Sequence, residues 1–297
     1  MGACPLRKLS SLVILPLFAL IVMETATAAA AAVPAPPQTC RSVSGLSALH
    51  KRGHILLFGE MHGTQEVPAF IADVVCIAAK KRIPVTLGLE IPFEEQAAID
   101  RFLDSGGGSA AEARLTEGAF WRPRLQDGRP SVAMLHLIEQ VRALRASGYK
   151  VRIVAYDSKP GTPSQERDRV MAQNLAAVAG REPGNLLVVL SGNVHTRLTR
   201  GVSWNNEYEP MGYLLTKSIS SSRVISLNMA HGGGEAWGCR SPSPDSDEVT
   251  CAPYSYRPQV GATAWSVKLN VVSGAPFSGT YGVGRITVSP PVKEQSR

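Results

Sequence analysis

The hydrophobic positions of this chain fall into short unbroken runs, each followed by a stretch with helical spacing. Ile55 to Phe58 forms the first run, inside a strand expected over 54–59. Val67, Phe70, Ile71, Val74, Val75 and Ala78 then recur at helical intervals, which predicts a helix up to Lys81. "IPVTLGLE", 83–90, reads as a second strand with Pro84 confined to its start. Helical stretches over 93–103 and 110–116 follow, divided by "SGGGS". A stronger helix runs from Ser131, a candidate N-cap, to Ala146 and is closed by Gly148. "KVRIVAYD", 150–157, predicts a third strand. Ser164 with 167–179 predicts a helix ended by Gly180, and "NLLVVLSG", 185–192, a fourth strand. Strands that are apolar along their length and alternate with helices predict an α/β fold. Its central sheet is expected to be largely parallel or mixed and flanked by helices. Beyond Gly201, "GYLLTKSI", "RVISLNMA" and "AWSVKLNVV" read as strands, extending that sheet or adding C-terminal antiparallel strands at its edge.

The two ends of the chain break this pattern. Arg7 and Lys8 precede the apolar stretch Leu12 to Val22, and the small-residue run "TATAAAAAVPA" follows. That order describes a secretory signal peptide over 1–30, cleaved after Ala28, Ala30 or Ala35. The apolar stretch contains Pro16 and is shorter than the roughly 20 residues of a membrane span. The mature chain is therefore expected to carry no transmembrane anchor and to be periplasmic or secreted. A linker is expected over 31–39, a single α/β domain over 40–290 and a disordered tail over 291–297.

Beyond the expected leader stand Cys40, Cys76, Cys239 and Cys251, which allow three pairings. Proximity favours Cys239 with Cys251 and leaves Cys40 to tie down the helix that carries Cys76. No C-x-x-C spacing suggests zinc or redox chemistry, so structural disulfides are expected. At 44% hydrophobic and 19% charged, the composition supports a sizeable core. The net charge of +7 is scattered, with no basic run interleaved with aromatics. No nucleic-acid partner is expected, and only nonspecific attraction to anionic surfaces is left.

The chain lacks G-x-S-x-G, H-E-x-x-H, the phosphate-binding G-x-x-x-x-G-K-[ST] loop and a G-x-G-x-x-G fingerprint. What stands out is "GEMH" at 59–62 and "GNVH" at 192–195, each at the carboxyl end of an apolar strand. Open α/β sheets place ligand sites at such ends, and glycine lets the chain turn there without a side-chain clash. Glu60 and His62 are two residues apart and face the same way in extended backbone. A carboxylate beside an imidazole fixes its tautomer and raises its basicity, as a general base or a metal ligand requires. Alternatively, the pair is a cap and a hydrogen-bonded loop histidine. Glu90 ends "LGLE" and would approach His62 if the second strand neighboured the first; its other reading is a helix cap after Pro92. Asp157 ends the third strand at the same level, either to orient a histidine or to cap a loop.

"GEMHGTQEVP", "LGLE", "ERDRVMAQNL", "LSGNVHT" and "PMGYLL", in that order over about 53–215, resemble the Tiki-type superfamily. It includes TraB proteins, ChaN-type haem-binding proteins and erythromycin esterases. The resemblance implies a site of Glu60, His62, Glu90 and His195, with Arg167 matching the arginine before the "MA" helix. Asn193 is not acidic, so the two histidine motifs are not equivalent. Trp121, in "FW", resembles a pocket-lining element of ChaN-like members.

Together these residues imply a hydrolase acting on an ester or peptide bond of a small molecule or peptide. His62 would deprotonate water, oriented by Glu60 or Glu90, with Arg167 on the developing oxyanion. His62, His195 and Glu60 could instead ligate a divalent metal such as Mn, Zn or Co. Trp121, Tyr156 and Asp157 are expected to contact substrate. The alternatives are haem binding, with His62 or His195 as axial ligand and Trp121 and tyrosines along the plane, and an inactive scaffold.

Overall fold

The computed structural model describes residues 1–2, 39–243, 248–259, 262–270, 272 and 274–293. The chain divides into two units, Met1–Pro34 and Ala35–Arg297, and the fold lies in the second. The expected leader over 1–30 and linker over 31–39 fall outside the described residues, apart from 1–2 and 39.

The elements in chain order are β1 (Ile55–Glu60), α1 (Glu66–Lys80), β2 (Val85–Pro92), α2 (Gln96–Leu103), α3 (Ser109–Leu115), α4 (Val132–Ala146) and β3 (Val151–Asp157). They continue with α5 (Ser164–Arg181), β4 (Leu186–Gly192), α6 (Met211–Ser218), β5 (Val224–Arg240), β6 (Thr250–Pro258), β7 (Ser266–Leu269) and β8 (Gly279–Ile286). One mixed sheet runs in the order β3-β2-β4-β1-β5-β8-β7, with β6 paired to the distal part of β5. The pairs from β3 through β8 are parallel, whereas β7 on β8 and β6 on β5 are antiparallel.

The unbroken apolar runs are explained by burial on both faces. Leu56 and Phe58 of β1 pack in the core with α1 and α4, while Ile55 and Leu57 pack in the opposite core with α5 and α6. Side chains alternate across a strand, so a strand covered twice must be apolar at every position. Ser131 caps α4, its hydroxyl accepting from Met134 N at 3.3 Å. Both favoured cysteine pairs are bonded: Cys40 to Cys76 of α1, and Cys239 to Cys251 across the β5–β6 ladder.

Two expectations change, and one condition is not met. "GYLLTKSI" is not a strand: α6 occupies it, burying Met211 and Leu215, one helical turn apart, against α5. Strand β2 does not neighbour β1, because β4 lies between them. The chain is also anchored past 290. Pro291 bridges Ser131, and Val292 N donates to Pro130 O at 3.0 Å, so 291–293 are attached; 294–297 lie outside the described residues.

Among the described residues, no helix is long and apolar enough to cross a membrane.

Candidate active site

The site lies at the carboxyl ends of β1, β2, β3 and β4, where the parallel register brings Glu60 level with Gly192. Two glycines make the approach close. Gly59 lies inside β1 rather than at a turn. A Cβ there would overlap Thr196 Oγ1 and sit 3.0 Å from Asn193 Cα, so glycine lets the histidine-bearing loop after β4 close onto β1. Glu60 O also accepts from Asn193 N at 2.9 Å. Gly192 ends β4 at the centre of the site. A Cβ at Gly192 would sit 3.2 Å from His62 Nε2, 3.5 Å from His195 Cδ2 and 3.7 Å from Glu90 Oε2.

Each imidazole has its own carboxylate. Glu60, buried at the end of β1, lies 2.8 Å from His62 Nδ1 through Oε1. Burial pulls the His62 imidazole down, but the charge and hydrogen bond of Glu60, with Glu90 and Asp127 behind, outweigh it and raise it from 6.5 to about 9. His195 lies with Nδ1 3.0 and 2.9 Å from the two oxygens of Asp168, a fully buried residue of α5. Asp168 also accepts from Tyr208 Oη at 2.5 Å and Met211 N at 2.6 Å. Arg167 Nη1 stands 3.3 Å from His195 Nε2.

Glu90 occupies the space between the two imidazoles. Its Oε2 accepts from Ser191 Oγ and Gly192 N, both at 2.7 Å. Its Oε1 accepts from Arg167 Nη2 at 2.5 Å and Arg129 Nη1 at 3.4 Å. Burial pushes the carboxyl up, yet His195 in its protonated form, with His62, Arg167 and Arg129, holds it well below the usual range. Glu90 Oε1 is 3.9 Å from His62 Nε2 and 4.0 Å from His195 Nε2, beyond direct hydrogen bonding but within reach through one water-sized group. Glu90 thus belongs to β2 and to the site, not to a helix cap.

Asp157 anchors the arginines rather than a histidine. It accepts from Arg167 Nε and Nη2, both at 2.8 Å, from Arg129 Nη1 at 3.0 Å and from Ser158 N at 2.7 Å. Asp127 holds Arg129 in turn, accepting from its N at 3.1 Å and its Nε at 2.9 Å.

Glu60, His62, Glu90, Asp157, Arg167 and His195 therefore converge. Trp121 does not join them: it is 1% exposed and packs edge-on against Phe120 in the core. Tyr156 is also fully buried, its hydroxyl donating to Leu190 O at 3.0 Å beneath the site. Sequence reasoning missed Arg129, Asp127, Asp168 and Tyr208. Asp168 was visible as the neighbour of Arg167 in "ERDRVMA", whereas Arg129 comes from a loop with no strand-end signal.

The expected ligands His62, His195 and Glu60 do not fit a resident Mn, Zn or Co. Glu60 and His62 Nδ1 face each other, Arg167 sits on His195 Nε2, and two guanidinium groups already supply positive charge to Glu90. Among the described residues, no three His, Cys, Asp or Glu side chains are arranged to hold a metal. The wall expected at Trp121 for a haem plane is core, and the groups around both imidazoles are carboxylates and guanidiniums.

No protein-family model matches the chain, and no curated protein matches it. Solved structures do. An erythromycin esterase mutant in its open conformation aligns with a TM-score of 0.55 at 13% identity, over 73% of this chain and 83% of the other. A Bacillus cereus protein aligns with a TM-score of 0.51 at 13% identity, over 84% of this chain and 92% of the other. A succinoglycan biosynthesis protein aligns with a TM-score of 0.47 at 10% identity, over 70% of this chain and 73% of the other. The first two likenesses show that the α/β fold is shared.

Proposed function

We propose that this protein is an exported hydrolase that cleaves an ester or peptide bond, with water activated between His62 and His195. The observation that carries this reading is the pairing of each imidazole with its own buried carboxylate around Gly192 and Glu90. The roles follow from what each atom can do. A guanidinium only donates, so His195 Nε2 facing Arg167 is unprotonated and its Nδ1–H points to Asp168. His195, neutral, takes the proton of the attacking water at Nε2 as Arg167 Nη1, which faces that lone pair, turns from it to the developing oxyanion. His62, raised to about 9, is an imidazolium at neutral pH and delivers its proton to the leaving group. This reverses the role expected for His62, because the carboxylates around it keep it charged. Arg167 Nη1, beside His195 Nε2, supplies a cationic donor for a developing oxyanion.

The fold shared with an erythromycin esterase is compatible with ester hydrolysis, but fold does not assign chemistry. Export is supported by the leader-like pattern over 1–30 and by the two disulfides, which suit an oxidising compartment.

The test is hydrolysis of a panel of model esters and short peptides by the wild type, His62→Ala and His195→Ala. Loss of either imidazole is expected to slow turnover on the order of 10²–10⁴-fold. Turnover unchanged in both variants would sink the reading.

A further inference from the structure

The opposite end of the sheet carries a second arrangement that the hydrolase reading does not use. Basic residues scattered in the sequence gather where β2 and β3 begin. Arg52 comes from the segment before β1, Arg82 from the turn after α1, and Lys150 from the residue before β3. All three line one cavity of about 280 Å³, whose wall includes Ile83, Pro84 and Tyr149. No acidic side chain lines it among the described residues. From Val85 to Glu90 of β2 is on the order of 17 Å along the strand, which separates this cavity from the active-site carboxylates.

Arg82 carries the argument furthest. Its φ is +58°, left-handed backbone at the end of a helix, where glycine is strongly preferred. Its backbone N donates to Ala79 O and that of Ile83 to Ala78 O, so this turn closes α1. An arginine there bears a backbone strain that glycine would avoid. Its guanidinium lies over the Tyr149 ring at 5.3 Å, and its carbonyl accepts from Arg52 Nη2 at 2.9 Å. Two solvent-exposed guanidiniums thus stand beside one cavity whose lining holds no carboxylate. Basic residues at a helix C-terminus complement its dipole, which accounts for Lys80 and Lys81. It does not account for Arg52 or Lys150, which come from other segments.

We infer that the cavity lined by Arg52, Arg82, Lys150 and Tyr149 is an anion-binding site for a phosphate group, on a small molecule or on a lipid headgroup, separate from the hydrolytic site. The guanidiniums of Arg52 and Arg82 and the ammonium of Lys150 supply the donors, and Ile83, Pro84 and Tyr149 face the rest of the ligand. This site stands whether or not the hydrolase reading does.

The test titrates the mature protein with inorganic phosphate by NMR or calorimetry, beside Arg82→Gly and Arg52→Gln. Arg82→Gly is informative because glycine suits the left-handed backbone: the variant should melt no lower than wild type and keep the basal hydrolytic activity. Saturable one-to-one binding, weakened at least tenfold in both variants, is expected. No saturable binding, or binding by Arg82→Gly equal to wild type, would overturn the site. Co-sedimentation with vesicles containing phosphatidylglycerol, against phosphatidylcholine alone, separates the sources. Vesicle binding that is lost in Arg82→Gly assigns the site to a lipid headgroup. Phosphate binding without vesicle binding assigns it to a soluble anion.

Discussion

Asp168 holds His195 with both carboxylate oxygens near Nδ1, at 3.0 and 2.9 Å, while Tyr208 and the backbone of Met211 hold the carboxylate itself. This fixes one tautomer and one ring orientation, the task of the third member of a nucleophile–base–carboxylate triad. Asp168→Asn keeps the shape but offers an amide donor where an acceptor is needed. It is expected to lower kcat on the order of 10³-fold or more with little change in KM. Steady-state kinetics on the best substrate of the panel checks this. A loss confined to KM would remove Asp168 from the positioning of His195.

The raised His62 gives a pH dependence with a definite sign. If the imidazolium is the proton donor, kcat falls as pH rises through about 9, the value His62 is raised to. Glu60→Gln removes the largest raising influence and should move that limb to lower pH. The same residue links pH to folding. Because its folded value is raised from 6.5, its contribution to stability is full below about pH 6.5 and is lost as pH climbs through about 9. Thermal unfolding from pH 6 to 10 should show a steeper decline in wild type than in Glu60→Gln. A pH–rate profile that instead rises through 9 would return the base role to His62.

Strands β1, β2 and β4 were legible because burial on both faces leaves few polar positions inside them, as in Ile55 to Phe58. The strand-end residues Glu60, His62, Glu90 and His195 were legible for the complementary reason: a polar group directly after such a run has few structural uses; Arg167, on α5, was legible only through the family resemblance. "GYLLTKSI" was not, since Met211 and Leu215 span one helical turn and too short a window separates the two periods. Strand β8 was hidden by Gly279 and Gly282, where a Cβ would overlap the carbonyls of Lys268 and Thr263. These glycines weaken the apolar signal while the close packing demands them. Trp121 shows another limit, because an aromatic beside a site motif looks the same whether it lines a pocket or fills the core. The basic cavity was invisible because its cations come from three separate segments, and only the fold brings them together.

Gly192 offers a way to fill the site without disturbing what surrounds it. Its backbone is outside the left-handed region, so alanine fits the main chain, but its methyl would enter the space 3.2 Å from His62 Nε2. In the proposed mechanism that space holds the attacking water. Gly192→Ala is expected to cost at least 10²-fold in turnover while shifting Tm by only a few degrees. Calorimetry beside kinetics checks it. Full activity in a folded Gly192→Ala would move the reacting atoms elsewhere.

Gly59 gives the contrasting outcome, and the contrast tests why a glycine opens each histidine motif. A methyl at Gly59 meets Thr196 Oγ1 and Asn193 Cα, so the loop carrying His195 must move. Thr196 is itself fixed: it is fully buried, and its carbonyl accepts from Ser226 Oγ at 2.6 Å. The strain therefore has no flexible outlet, and overpacking of this kind costs about 1–3 kcal/mol. Gly59→Ala should lose stability and activity together, whereas Gly192→Ala should lose activity alone. Adding Thr196→Ser to Gly59→Ala would not relieve the clash, because serine keeps the hydroxyl. Thr196→Ala removes the oxygen and should restore part of both properties. If Gly59→Ala is as stable as wild type, the glycine serves the turn after the strand and not the close approach of the two strand ends.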